Sequence, residues 1–246
     1  MKPRFVKPES VLSALDEVFA DVNFNDGKPA IFNTGELSDS LMRPELMRQI
    51  VDKFETQDKH KVFLLSKMGT KNVKFLLEKV RRNTICAWSI NAVQVAKQWE
   101  RKAPSPDERI RAAALVSDAG YEVRVRIDPI FPVSDWREQY QDLAFRILSE
   151  FEPQRIILGT PRGLWKTVHY AKEAGMDMGW SAYFVEDTGW GKKISSTTRF
   201  EIYKYMFDKL ESLGYPRTRI SICKETTSML SRLSINFKPL TCQCYG

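Results

Sequence analysis

The chain predicts an α/β fold built on a parallel sheet, and two observations carry that prediction. Short apolar segments bounded by Gly, Pro or Asn alternate with amphipathic stretches along most of the 246 residues, the pattern of successive βα units. Polar residues recur at the carboxyl ends of those segments, where βα folds gather their sites. A hydrophobic fraction of 43% supplies a buried core for a chain of this length.

Pro8 to about Phe19 reads as a helix ahead of the first strand. Ala30–Asn33 is that strand; with no strand before it, its outer edge is expected to lie unpaired, an arrangement that invites pairing with another chain. Arg43-Pro44-Glu45 opens a helix with Pro in the first turn, and Leu46, Met47, Ile50, Val51 and Phe54 form its apolar stripe. Val62–Ser66 and Thr84–Ser89 are strands, separated by a Lys/Arg-rich segment read as a helix over 72–82. Ser105-Pro106-Asp107-Glu108 is a strong start signal: Ser caps, Pro fits the first turn, and Glu completes a capping box. Gly120 stops that helix before strand Glu122–Asp128. Helices over 136–151, 164–174 and 198–213 separate the last two strands, Arg155–Gly159 and Arg219–Cys223. Residues 175–197, rich in Gly and aromatics, read as a long irregular, lid-like loop within a single domain.

No run approaches the apolar length of a membrane span, and the basic start Met1-Lys2-Pro3-Arg4 lacks the apolar stretch of a signal peptide, so a cytoplasmic protein without a membrane partner is expected. The net charge of +7 is local. Residues 59–82 hold eight Lys or Arg against one acid, Glu78, a net +7 that matches the whole chain. Lys71, Lys74, Lys79, Arg81 and Arg82 are therefore candidates for contacts with DNA or RNA phosphates, set against a plain solvated face. Of the four cysteines, Cys86 sits in an apolar strand as a small hydrophobe. Cys223, Cys242 and Cys244 are candidates to share a metal or cluster, with no fourth ligand evident, and the last two lie in a tail over 236–246.

The strand-end residues carry the chemistry. Glu36, Ser38 and Asp39 follow the first strand, Ser66 and Lys67 the second, Ser89 and Asn91 the third, Arg126 and Asp128 the fourth, Thr160 and Arg162 the fifth, and Lys224 and Glu225 the sixth. Their convergence on one rim predicts a ligand with ammonium, carboxylate and hydroxyl groups. Helix capping competes with that role at several of them, above all at Ser40.

Asn33-Thr34-Gly35-Glu36-Leu37-Ser38-Asp39-Ser40-Leu41 resembles the segment after the second strand of spore photoproduct lyase-like radical S-adenosylmethionine (SAM) proteins. Ser89-Ile90-Asn91, Pro104 to Ala113, Ala119-Gly120-Tyr121, Arg126-Ile127-Asp128-Pro129-Ile130 and the closing Cys223-Lys224-Glu225 with Cys242-x-Cys244 resemble later parts of the same family, so the match runs from about residue 28 to the end. The resemblance implies an α/β radical SAM-type partial TIM barrel of parallel strands, incomplete because the first strand and its cluster loop are missing. It implies cleavage of SAM to a 5′-deoxyadenosyl radical for hydrogen abstraction by a lyase, in DNA repair. Gly35, Glu36, Ser38, Lys67, Ser89 and Asn91 would then bind SAM, and Arg126, Asp128 and Arg162 the substrate.

Two departures accompany the resemblance. Family members carry Cys-x3-Cys-x2-Cys for a [4Fe-4S] cluster, a spacing found nowhere in this sequence, and the DNA-repairing lyases place a hydrogen-donor cysteine where Glu36 stands here. The expectation is an enzyme part that is inactive without a complementing N-terminal segment or chain bearing the cluster motif. The alternatives are a non-catalytic barrel that binds nucleic acid through the basic face, and a coding start placed too late.

Overall fold

The protein was analysed as a computed structural model that describes residues 7–35, 38–187 and 191–235. Its elements alternate as follows. Helix α1 (Pro8–Ala20) precedes β1 (Ile31–Asn33), and α2 (Pro44–Phe54) leads to β2 (Lys61–Ser66). A single turn, α3 (Lys74–Leu77), precedes β3 (Thr84–Ser89); α4 (Val93–Trp99) and α5 (Pro106–Asp118) then lead to β4 (Glu122–Ile127). Helix α6 (Trp136–Glu150) precedes β5 (Arg155–Leu158). After β6 (Arg162–Gly163) and α7 (Trp165–Glu173) come β7 (Glu186–Asp187), β8 (Lys192–Lys193), α8 (Ser196–Ser212), β9 (Ile220–Ile222) and α9 (Thr227–Arg232).

Six strands form one parallel sheet in the order β1-β2-β3-β4-β5-β9, curled into an open half-barrel. All six expected strands are present, with ends shifted by at most one residue. Among the described residues β1 pairs only with β2 and so stands at the sheet edge.

The strand period of two sorts the core into two layers. Val62, Leu64, Cys86, Trp88, Val123 and Val125 pack toward the helices, while Phe63, Leu65, Ile85 and Ala87 form the inner layer. On β4 the register sets Arg124 beside Ala87 and Arg126 beside Ser89, so the inner face turns from apolar to cationic there. That is why this strand alternates Val with Arg. Arg124 is held by Glu122 at 2.6 Å and lies over the Phe63 ring.

Two expected elements differ. The basic helix over 72–82 is only the one-turn α3, because Phe75 and Leu76 bury at once and the chain then turns back toward β3. The described part of 175–197 holds more than a loop: a 3-10 turn Gly179–Tyr183, the strands β7 and β8, which form a small antiparallel sheet with β6, and the start of α8. The tail over 236–246, with Cys242 and Cys244, lies outside the described residues, and no helix among them is long and apolar enough to cross a membrane.

Candidate functional site

Two adjoining cavities open at the carboxyl ends of the strands. A polar one of about 290 Å³ is lined by Gly35, Ser38, Asp39, Leu65, Ser66, Lys67, Ser89, Arg126 and Asp128. An apolar one of about 550 Å³ lies between the strand ends and the segment from Pro161 to Phe184. Lys67 lines both.

The first wall of the polar cavity depends on a close approach of β1 to β2. Thr34 Oγ1 donates to the Phe63 carbonyl at 3.1 Å, and the Gly35 amide donates to Asn33 Oδ1 at 2.9 Å. A Cβ on Gly35 would sit 2.5 Å from the Leu65 carbonyl oxygen, so glycine is the residue that fits there. Glu36, the expected carboxylate of this motif, lies outside the described residues.

Asp39 and Ser40 exchange the roles the sequence suggests. Asp39 is the cap: its Oδ1 accepts from the Leu41 amide at 2.9 Å and from Ser66 Oγ at 2.8 Å, and its Oδ2 accepts from the Lys67 amide at 2.6 Å. Ser40 Oγ instead accepts the Leu65 amide at 3.0 Å. One carboxylate thus ties the turn after β1 to the end of β2 and spends itself on backbone and hydroxyl donors.

Lys67 reaches across the junction of the two cavities to Glu100, with Nζ 2.6 Å from Oε1. Glu100 also meets the buried Arg109 at 2.5 Å, and Arg109 is itself fixed by the carbonyls of Pro104 and Ser89. Burial alone would raise the Glu100 carboxyl; the Lys67 ammonium and the Arg109 guanidinium outweigh it and hold the group below the usual carboxylate range. Sequence reading missed Glu100. Its signal was available, since it is the only acid between Glu78 and Asp107.

The expected substrate residues form the second cluster. Asp128 Oδ2 accepts from Arg126 at 2.6 Å and from Arg162 at 2.7 Å. The Asp128 side chain is 2% exposed, and its Oδ1 has no hydrogen-bond partner among the described residues. Burial pushes its carboxyl up, but Arg162 and Arg126 outweigh that and hold it below the ordinary range. Arg162 faces the apolar cavity, Arg126 and Asp128 the polar one, so this cluster is a second charged link between them.

Asn91 lines the apolar cavity but has spent its amide. It donates to the Pro129 carbonyl at 2.9 Å and accepts from Tyr140 Oη at 2.7 Å and from the Ala92 amide at 2.9 Å. It positions the loop after β4. Farther along the rim Glu225 is buried against Arg199 at 3.1 Å and Lys193 at 3.6 Å, which anchors the small sheet to the half-barrel. Cys223 Sγ lies 3.8 Å from Arg126, and no group of described residues has the donors to hold a metal ion.

The basic run 59–82 does not make one face. Arg81 is 1% exposed and bonded to Asp52, the Phe75 carbonyl and Tyr121, so it is a core cation. Lys79 pairs with the same Asp52 at 3.0 Å. Lys71 and Lys74 are exposed near the rim end of the segment, whereas Arg82 is exposed just before β3, at the opposite end of the sheet.

A profile of the family "Spore photoproduct lyase" matches residues 28–157, more than half of the chain. The chain belongs to the spore photoproduct lyase family. The spore photoproduct lyase of Clostridium acetobutylicum is 30% identical over 61 residues, which are 25% of this chain and 18% of that protein. A solved spore photoproduct lyase variant with bound AdoMet and dinucleoside spore photoproduct superposes with a TM-score of 0.70 at 17% identity, covering 90% of this chain and 68% of that one. Streptococcus suis SuiB bound to S-adenosylmethionine gives 0.58 at 12% identity, over 97% of this chain and 48% of its own. The two structural likenesses establish a shared fold, the partial barrel that the strand pattern and the resemblance predicted.

Proposed function

We propose that the polar cavity holds SAM and that the chain acts in radical SAM lyase chemistry of the spore photoproduct type, with a substrate in the adjoining apolar cavity. The observation that carries this reading is the convergence of Gly35, Ser38, Lys67 and Ser89 on one polar cavity at the carboxyl ends of β1 to β3. The donor set fits the ligand. An ammonium at Lys67 suits the methionyl carboxylate, and the hydroxyls of Ser38 and Ser89 suit the ribose diol. Glu36 takes the methionyl ammonium by the family resemblance. Two structures of this fold hold the same cofactor, which supports the assignment.

The described residues do not fit an iron–sulfur cluster. Cys86 is buried within β3 and Cys223 lies at the end of β9, and the sequence contains no Cys-x3-Cys-x2-Cys. The family's cluster would supply the electron that cleaves SAM; the part read here is binding and orientation. Titration calorimetry with SAM tests it. Saturable binding is expected, weakened about tenfold or more by Lys67→Ala and by Glu36→Gln, each the loss of a charge-assisted contact. Thermal melting of both variants should stay within a few degrees of the parent protein. Unchanged affinity in both would remove the site assignment.

A further inference from the structure

We infer that Glu100 is a positioning residue that competes with the methionyl carboxylate of SAM for Lys67, and so sets how strongly the polar cavity prefers a ligand that carries a carboxylate. The inference rests on the SAM reading of that cavity. Lys67 is built for an exchange of partners. Its amide is fixed by Asp39 Oδ2 at 2.6 Å, so the backbone holds still while the side chain turns. Lys67 lines both cavities, whereas Glu100 lines the apolar one. With Nζ 2.6 Å from Glu100 Oε1, the ammonium is drawn toward the apolar side of the junction.

Local structure does not call for an acid at this position. Glu100 follows α4 at its C-terminal end, where a negative charge works against the helix dipole. The buried Arg109 accounts for one of its oxygens, Oε2 at 2.5 Å. The other oxygen goes to Lys67, whose side chain is 35% exposed and is hydrated readily without an ionic partner. Burial raises the Glu100 carboxyl, but Lys67 and Arg109 together hold it below the usual range, so it stays charged at neutral pH.

The charge balance makes Lys67 the member of the trio that can leave. The Arg109 side chain is 1% exposed and is locked by the carbonyls of Ser89 and Pro104. When Lys67 turns to an anion in the polar cavity, Glu100 and Arg109 stay behind as a neutral buried pair. Removing the Glu100 charge instead leaves Lys67 and Arg109 without their shared carboxylate, a place that a ligand carboxylate then fills. Two roles for Glu100 therefore predict opposite signs. Loss of a mere anchor lets Lys67 wander and weakens SAM; loss of a competitor frees Lys67 and tightens it.

Titration calorimetry of the parent protein and of Glu100→Gln, with SAM and with decarboxylated SAM, tests the inference. Decarboxylated SAM keeps the ammonium, the sulfonium and the ribose. Glu100→Gln should bind SAM about fivefold or more tightly than the parent, the release of one charge pair, and decarboxylated SAM within about twofold of it. Glu100→Asp keeps the charge and should return SAM affinity toward the parent value. Weaker or unchanged SAM binding in Glu100→Gln, or an equal gain for decarboxylated SAM, would overturn the proposal. Should Glu100→Gln fail to fold, nitrogen NMR of the lysine side chains decides the matter in the parent protein. The signal that is missing in Lys67→Ala should move on addition of SAM and stay in place with decarboxylated SAM; a signal unmoved by SAM overturns the proposal. Absence of SAM binding in every protein would remove the cofactor reading and the inference with it. SAM binding without a gain in Glu100→Gln would remove the inference alone.

Discussion

Asp128→Ala should be among the most destabilising substitutions in this chain, at about 3–5 kcal/mol of unfolding free energy, because it strips the carboxylate from the buried Arg126 and from the partly buried Arg162. For a protein of this size that corresponds to a fall in melting temperature of roughly 6–20 °C. Asp128→Asn keeps an acceptor oxygen for one arginine and should cost less, about 1–3 kcal/mol. The pH dependence separates charge from shape. The folded-state carboxyl of Asp128 is held below its ordinary range, so its stabilisation is present above about pH 4, the unfolded value, and is lost as pH falls through the folded one. Chemical denaturation from pH 6 down to pH 3 should therefore show a steeper loss in the parent protein than in Asp128→Asn. Equal slopes would mean that Asp128 is not the titrating partner of these arginines. Gly159 belongs to the same arrangement: a Cβ there would stand 2.4 Å from the Asp128 carboxyl carbon, so Gly159→Ala should push the carboxylate off its arginines.

The strands were legible because parallel strands buried on both faces are short apolar runs that few other elements imitate. The site was legible in part, and the limits are physical. Strand ends converge by topology, so Lys67, Ser89, Arg126 and Asp128 could be grouped from the strand assignment alone. Which partner each selects depends on distance through space. Lys67 and Glu100 are 33 residues apart, and no local pattern links them. Asp39 and Ser40 are adjacent and either could cap the following turn; the choice falls to Asp39 because a carboxylate can accept from Leu41, Ser66 and Lys67 at once. The basic run misled for a related reason. Linear charge density takes no account of which lysine or arginine turns inward, and Arg81 turns inward to bond Asp52 and the Phe75 carbonyl. The segment 175–197 read as irregular because two-residue strands carry too little periodicity to register, yet β8 holds Lys193 against the buried Glu225.

The arrangement also explains why the two cavities are expected to act together. They share Lys67 outright, and Asp128 connects Arg126 on one side to Arg162 on the other. An anion arriving at Arg162 would compete with the Asp128 carboxylate for that guanidinium and leave Asp128 to Arg126. Occupancy of the larger cavity should therefore be felt at the smaller one through the Arg162–Asp128 contact of 2.7 Å. The segment that walls the larger cavity is tied to α4 by Trp99 Nε1 donating to Asp177 at 3.1 Å, an exposed bond that opens at little cost.

Gly35→Ala is expected to have the largest effect on cofactor binding for the smallest change in side chain. The added methyl would lie 2.5 Å from the Leu65 carbonyl oxygen, 2.6 Å from Leu65 Cβ and 2.9 Å from Ser40 Oγ. Two of these three obstacles are rigid, being a backbone carbonyl and the first carbon of a side chain anchored in the sheet. The third, Ser40 Oγ, is held by the Leu65 amide and by Thr34 at 2.8 Å. None is the free end of a flexible chain, so the turn after β1 must move away from β2. Overpacking of this kind costs about 1–3 kcal/mol. The displaced turn is the one that carries Ser38 into the polar cavity, so SAM affinity should fall by well over tenfold even in molecules that remain folded. Calorimetry and thermal melting on the same sample decide the matter. A variant that melts within a few degrees of the parent and has lost SAM binding makes the close approach at Gly35 a condition of the site. One that melts similarly and binds SAM as before would place the cofactor elsewhere on the rim.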